Sequence, residues 1–253
     1  MEFSPDGHTA ITNGLFGLHV WDLSNRTHPR QVATLTNPVI GDASGPMAFS
    51  PDGQTVVTGG RDVSLIVWDF SDRTHPRRLS SVRDSDSDSL TTVAFSPDGR
   101  TVVTGTSGIT AIVWDVSNRT SPRRLSTMET AYEVGNLRMI SAVSAIAFSR
   151  DGHTVVAATD VAAIVWDISD RAHPHRLQTL SGHTGPVNAV EISPDGHTVI
   201  TGSKRIVLWD ITQVANMVSN PGDQACMITK RGLTAEEWAR YVPDLPYRRI
   251  CRP

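Results

Sequence analysis

The chain has 253 residues and a formal net charge of −3, from 23 Lys+Arg against 26 Asp+Glu. So even a balance gives no electrostatic footing for nucleic acid or an anionic membrane as the main partner. No run reaches the roughly 18 apolar residues of a membrane span, the N-terminus has no secretory-signal pattern, and 2 cysteines make no disulfide framework; a reduced, cytoplasmic protein is the expectation.

Taken in chain order, the first signal is a repeat. Residues 3–7 read Phe-Ser-Pro-Asp-Gly, and the block returns at 49–53 and 95–99. It recurs as Phe148-Ser149-Arg150-Asp151-Gly152 and Ile192-Ser193-Pro194-Asp195-Gly196, giving steps of 46, 46, 53 and 44 residues. A second ladder of Trp-Asp pairs begins at Trp21, Trp68, Trp114, Trp166 and Trp209, with steps of 47, 46, 52 and 43. Two motifs that keep phase over five units define a repeat architecture with a period of about one propeller blade.

The third unit shows the predicted elements. Residues 91–95 form a short apolar strand that runs into Ser-Pro-Asp-Gly, a tight turn in which Pro pre-sets φ and Gly takes the φ > 0 that other residues resist. The β-branched run 101–104 makes a second strand, 105–108 a small-residue turn, and 109–114 a third strand. A polar loop at 117–121 leads to a fourth strand opening Pro122-Arg123-Arg124. Pro29, Pro76, Pro122 and Pro174 are each followed within two residues by an arginine. Proline belongs at a strand start or sheet edge, and charge on an edge blocks edge-to-edge pairing, so the fourth strand is the outermost. The inner strands are apolar enough to be covered on both faces.

The Phe-Ser-Pro-Asp-Gly turn, the Trp-Asp strand end and the period resemble the WD40 repeat family over residues 1–211, and Gly182-His183 stands where that family has its Gly-His. The resemblance implies an all-β fold: a β-propeller of about five four-stranded blades, with repeats ending near 22, 69, 115, 167 and 210. It makes Trp21, Trp68, Trp114, Trp166, Trp209 and His183 structural residues of the repeat. The family's hydrogen-bonded tetrad of His, Asp, Ser/Thr and Trp is not complete in any unit. The turn beside His183 reads Ser203-Lys204-Arg205, and the units holding Asp62 and Asp160 lack the His. Thr58–Trp68 and Thr201–Trp209 are expected as hydrogen-bonded pairs.

The ladder opens near the end of a first strand and stops after a third. The first blade is therefore expected to be clipped and the ring open or partial, with self-association or pairing through its open edges. The chain reads as the C-terminal part of something longer, or as a shortened paralogue of it. Residues 212–253 read as a separate extension with a short helix near 235–242. It opens on a capping box of Thr234 and Glu237 with Leu233 and Trp238 as a staple, and ends before Pro243. Trp238, Leu233 and Tyr241 are expected to dock this extension on the propeller. Cys226 and Cys251 could pair or stay as two thiols. The extension resembles the closing segment of bacterial multidomain WD40 proteins, in which a signalling module such as a STAND-type NTPase precedes the propeller. That resemblance implies the sensing or regulatory part of a bacterial signalling protein.

Other constellations resolve into structure. Residues 84–89 alternate Asp and Ser like a calcium loop, but Ser89 and Phe95 stand where Gly and Glu are required, so a solvated loop is the better reading. His173 and His175 offer a metal no third ligand and match the exposed loop positions of His28 and His75. The serines of the repeated turn do not sit on a nucleophile elbow. A propeller hydrolase would line its channel with carboxylates or histidines, yet the innermost strands offer only Asn188 and Glu191 as notably polar. A carbohydrate-binding propeller needs aromatic platforms to spare, and aromatics are 6% of the chain. The expectation is a non-catalytic protein-protein interaction scaffold without metal or cofactor, neither nucleic acid nor membrane being a partner. The partner-binding candidates are Arg61, Asp62, Asp84, Asp86, Asp160, Lys204 and Arg205, in the loops before the first strand and between the second and third.

Overall fold

A computed structural model describes residues 1–14, 17–35, 45–59, 65–83, 89–134, 137–139, 141–160 and 162–214, the side chains of 132–140 apart. Among them the strands fall into successive antiparallel blades. Blade one is β1 (Glu2–Phe3), β2 (Thr9–Gly14), β3 (Gly17–Asp22) and β4 (Arg30–Leu35). Blade two is β5 (Met47–Phe49), β6 (Thr55–Thr58), β7 (Leu65–Asp69) and β8 (Arg77–Val82). Blade three is β9 (Leu90–Phe95), β10 (Thr101–Thr106), β11 (Thr110–Asp115) and β12 (Arg123–Glu129). A two-stranded ribbon, β13 (Tyr132–Val134) and β14 (Leu137–Met139), precedes blade four. Blade four is β15 (Val143–Phe148), β16 (Thr154–Thr159), β17 (Ala162–Asp167) and β18 (His175–Ser181). Blade five has three strands, β19 (Ala189–Ile192), β20 (Thr198–Gly202) and β21 (Ile206–Asp210). The ribbon accounts for the one long step in the repeat, and Arg176 holds its base by donating to the Ala131 carbonyl at 2.8 Å.

The β-branched second strands of blades two to four are buried on both faces because each of these blades is sandwiched by its neighbours. Each of the four apolar clusters joins two successive blades. In blade two, Val56, Ile66 and Trp68 face Ile11 and Val20 of blade one. The alternate residues Val57, Leu65 and Val67 face Val102, Ile112 and Trp114 of blade three. Period-two alternation thus sends successive side chains to different neighbours, and the core is a series of shared layers. The outer strands are half-exposed, and their pairing with the third strand shifts register at the Trp of blades one to four.

The first strand of blade one is two residues long, and blade five has three strands among the described residues. Ile200, Ile206 and Leu208 occupy the positions of Val57, Leu65 and Val67, which are 0% exposed, yet stand at 39%, 69% and 67%. Phe3 is 53% exposed where Phe49 is 7%. Among the described residues, the outer faces of blades one and five therefore carry exposed apolar side chains.

One predicted boundary is corrected. Gly105 is not in a turn: β10 continues through it to Thr106, paired with Thr92 and Ala111. The predicted helix near 235–242, its contacts, and Cys226 and Cys251 lie outside the described residues, as do Arg61, Asp62, Asp84 and Asp86. Residues 212–214 form one helical turn after β21.

Candidate interaction surfaces

Inside each blade the Trp of the Trp-Asp motif bridges the second and third strands. Its Nε1 donates to a threonine hydroxyl in four blades: Trp21 to Thr12 at 2.9 Å, Trp68 to Thr58 at 3.0 Å, Trp114 to Thr104 at 3.0 Å and Trp209 to Thr201 at 2.7 Å. In blade four Ala157 occupies the threonine's place, and among the described residues Trp166 Nε1 is buried without a partner.

The fifth blade goes further. His183 Nε2 lies 2.8 Å from Thr201 Oγ1, and Nδ1 lies 3.0 Å from Ser203 Oγ. Its ring packs 5.7 Å from that of Trp209. The tetrad is thus completed by a neutral hydroxyl: Ser203 stands in for the aspartate that the sequence lacks. Sequence reasoning required the carboxylate and so missed this closure, although a serine has the same reach to the ring. Each ring nitrogen thus has one hydroxyl partner, and the tautomer sets which of the two hydroxyls donates to the ring and which accepts from it.

Antiparallel order puts two loop classes at each end of the propeller. At one end lie the connections from blade to blade and the turns between second and third strands. Asp160, Lys204 and Arg205 are here, all exposed. Asp160 closes the second-strand turn of blade four, with its N–H donating to Ser141 Oγ at 3.2 Å. Lys204 and Arg205 cap the matching turn of blade five, whose Ser203 N–H donates to the Arg205 carbonyl at 3.0 Å. The structure therefore places these three charges at one end of two adjacent blades, on the turns between their second and third strands.

The opposite end carries the Ser-Pro-Asp-Gly turns and the loops after Trp-Asp. In each turn the serine hydroxyl donates to the aspartate and accepts from a backbone N–H five residues on, as in Ser96 to Asp98 at 2.5 Å and Thr101 N–H to Ser96 at 3.0 Å. The glycine φ of 66–76° is the left-handed region that the turn demands. An arginine in the next blade's loop then reaches each of the first three aspartates: Arg73 to Asp6 at 2.6 Å, Arg119 to Asp52 at 2.8 Å, and Arg171 to Asp98 at 2.8 Å. Within a blade, the Trp-Asp carboxylate accepts from the N–H two residues on and pairs with the arginine opening the outer strand, as Asp69 does with Arg77 at 2.8 Å and Asp115 with Arg123 at 2.9 Å. The Pro-Arg signature, read from sequence as edge protection, is also half of an ion pair. His173 and His75 are tied locally to Asp170 at 2.9 Å and Asp72 at 3.1 Å. Among the described residues no three His, Cys, Asp or Glu side chains converge on a point that could hold a metal ion.

These carboxylates are held low. The Ser71 hydroxyl, its N–H and Arg77 bring Asp69 down to about 2. The Ser117 hydroxyl brings Asp115 to about 2, outweighing burial, with Arg123 and the Ser117 N–H adding to it. At Asp98 burial opposes the shift, but Ser96 and Arg171 outweigh it, again to about 2. A carboxylate whose folded value lies below its unfolded value of about 3.9 stabilises fully above that pH and loses its contribution as pH falls toward the folded value. Denaturant midpoints should therefore fall steeply between about pH 4 and pH 2. The same titration on a chain carrying Asp69→Asn and Asp115→Asn should be shallower. An unchanged slope would show that these carboxylates are not the acid-sensitive groups.

The family model "WD domain, G-beta repeat" matches residues 43–69, 77–115 and 174–210. A mouse protein, WD repeat-containing protein 90, is 40% identical over 82 residues, which are 32% of this chain and 4% of that protein. The small ribosomal subunit protein RACK1 of Caenorhabditis elegans is 37% identical over 87 residues, 32% of this chain and 26% of the relative. An uncharacterized WD repeat-containing protein of Synechocystis is 40% identical over 63 residues, 24% of this chain and 17% of its own length. The chain thus spans about a quarter or less of these relatives.

Proposed function

We propose that this chain, which carries WD40 repeats and folds as a β-propeller of that type, is a non-catalytic protein-interaction scaffold. It serves as the sensing or regulatory portion of a larger bacterial signalling protein in the cytoplasm, with residues 1–211 as the propeller and 212–253 as an appended extension. WD40 repeat proteins generally act as such scaffolds, and one relative is by name a component of a ribosomal subunit. The observation that carries the reading is the division of labour among polar side chains. The aspartates of the repeated turns and of Trp-Asp are consumed in intra- and inter-blade bonds, while Asp160, Lys204 and Arg205 are exposed at strand ends and make no ion pair among the described residues. Arg61, Asp62, Asp84 and Asp86 complete this surface in the proposal. Charged groups on a rigid frame confer specificity and steer association. The same reading includes association of the propeller through the exposed apolar faces of blades one and five.

The test is affinity capture with cross-linking, comparing the parent with a chain carrying Asp160→Ala, Lys204→Ala and Arg205→Ala. All three positions are exposed, so the fold should be kept, and a protein captured specifically by the parent should be lost. Equal capture by both chains would take these loops out of the interface.

A further inference from the structure

Successive blades are joined by a recipe with three parts. The first is the arginine five residues after the Trp, which reaches back to the turn aspartate of the preceding blade, as Arg73, Arg119 and Arg171 do. The second is a stack of turns: a Cβ placed on Gly53, Gly99 or Gly152 would lie 3.4, 3.5 or 3.5 Å from the preceding blade's Pro5, Pro51 or Pro97. The third is the apolar layer, in which Phe49, Trp68 and Phe70 of one blade meet Ile11 and Val20 of the one before.

These two exposed faces carry the two unmatched halves of this recipe. Blade five presents Pro194 and Asp195, whose carboxylate accepts, among the described residues, from Ser193 and the His197 N–H of its own turn. Beside them stand the exposed Ile200, Ile206 and Leu208. Blade one presents Gly7, around which a Cβ would meet nothing within 4 Å, and the exposed Phe3 with the partly exposed Trp21 and Leu23. It also presents Arg26, at the position of Arg73, exposed and without an ion pair among the described residues. His19, where blades two to four have isoleucine, lies 3.0 Å from Gln31 Nε2 and gives this face one polar patch. At the junction between blades four and five Val214 stands in the arginine's place, and the apolar layer of that junction is intact. Apolar area can thus join two blades without the pair, and charge pairs across such a contact fix register.

We propose that blade one of a second copy docks on blade five head to tail, with Arg26 pairing with Asp195 of the neighbouring copy and Gly7 seating beneath its Pro194. The proposal rests on the association included in the functional reading and names the contact that performs it. It is heterologous, joining unlike faces, so each copy keeps one free end of each kind and growth depends on concentration.

Sedimentation velocity on the purified full chain, from low to high micromolar concentration, tests it. The parent should show concentration-dependent mass. Arg26→Asp and Asp195→Arg, both at exposed positions, should each weaken association about tenfold or more. An equimolar mixture of the two variants should recover it, because each heterologous contact in the mixture can then join opposite charges. Ile206→Asp, at 69% exposure, should abolish association without lowering the melting temperature. A parent that remains monomeric throughout, its faces covered within the chain, overturns both the association and the contact. A parent that associates while the charge variants associate equally overturns the contact alone and leaves association standing.

Discussion

Replacing Trp114 by alanine should lower the unfolding free energy by about 3–5 kcal/mol, the cost of emptying a buried aromatic site. Trp114 is 1% exposed and packs among Val57, Leu65, Val67, Val102 and Ile112, so the cavity would open between blades two and three and loosen both. Phenylalanine separates packing from hydrogen bonding. At Trp114 it removes the donor that satisfies Thr104, a hydroxyl 0% exposed. At Trp166 it removes an N–H that already has no partner among the described residues. Leaving a buried polar group unmatched costs about 1–3 kcal/mol. Trp114→Phe should therefore destabilise more than Trp166→Phe by about that amount. The converse substitution, Ala157→Thr, should give Trp166 the partner its counterparts have and raise stability by about 0.5–1.5 kcal/mol. Guanidinium midpoints for the four variants decide the matter. Equal losses for the two phenylalanine variants would show that the Trp–Thr bond contributes nothing net.

The blades were legible because their determinants are local. A turn needing Pro and Gly at fixed places, a β-branched run and a Trp-Asp end are all written within one repeat. Where the fold was not legible, the determinant sits in the next blade. Arg73, Arg119 and Arg171 looked like polar loop residues, and their carboxylates lie 67, 67 and 73 residues away in sequence. Their fixed offset from the Trp was the available signal, since four loops carry an arginine at that place. The apolar inner strands spoke of burial on both faces without saying which neighbour each side chain meets. Ser203 was passed over for a different reason: the family pattern specifies a carboxylate, whereas the ring nitrogen of His183 requires only an oxygen within reach.

The same dependence on a neighbour governs Gly105, which the sequence suggested was a turn glycine. It is a strand residue because blade four comes too close for a side chain. A Cβ at Gly105 would stand 2.6 Å from Thr92 Cγ2 and 2.7 Å from Val143 Cβ and Cγ1, separations that real carbon atoms do not tolerate. Gly105→Ala should therefore destabilise by about 1–3 kcal/mol through overpacking at the junction of blades three and four. The corresponding Gly202 in blade five supplies the control. A Cβ there would meet Ala189 Cβ at 3.4 Å, an ordinary contact, so Gly202→Ala should be neutral within about 0.5 kcal/mol or mildly stabilising. Blade four already carries Ala158 at this position, 0% exposed, which shows that alanine fits where the next blade allows it. If the clash with Val143 is the cause, Val143→Ala should cost less in the Gly105→Ala background than alone, with a coupling of about 0.5–3 kcal/mol in a double-mutant cycle. Additive losses would mean that Gly105 is required by its own strand, through the Thr92 side chain or the backbone, and not by the blade beside it.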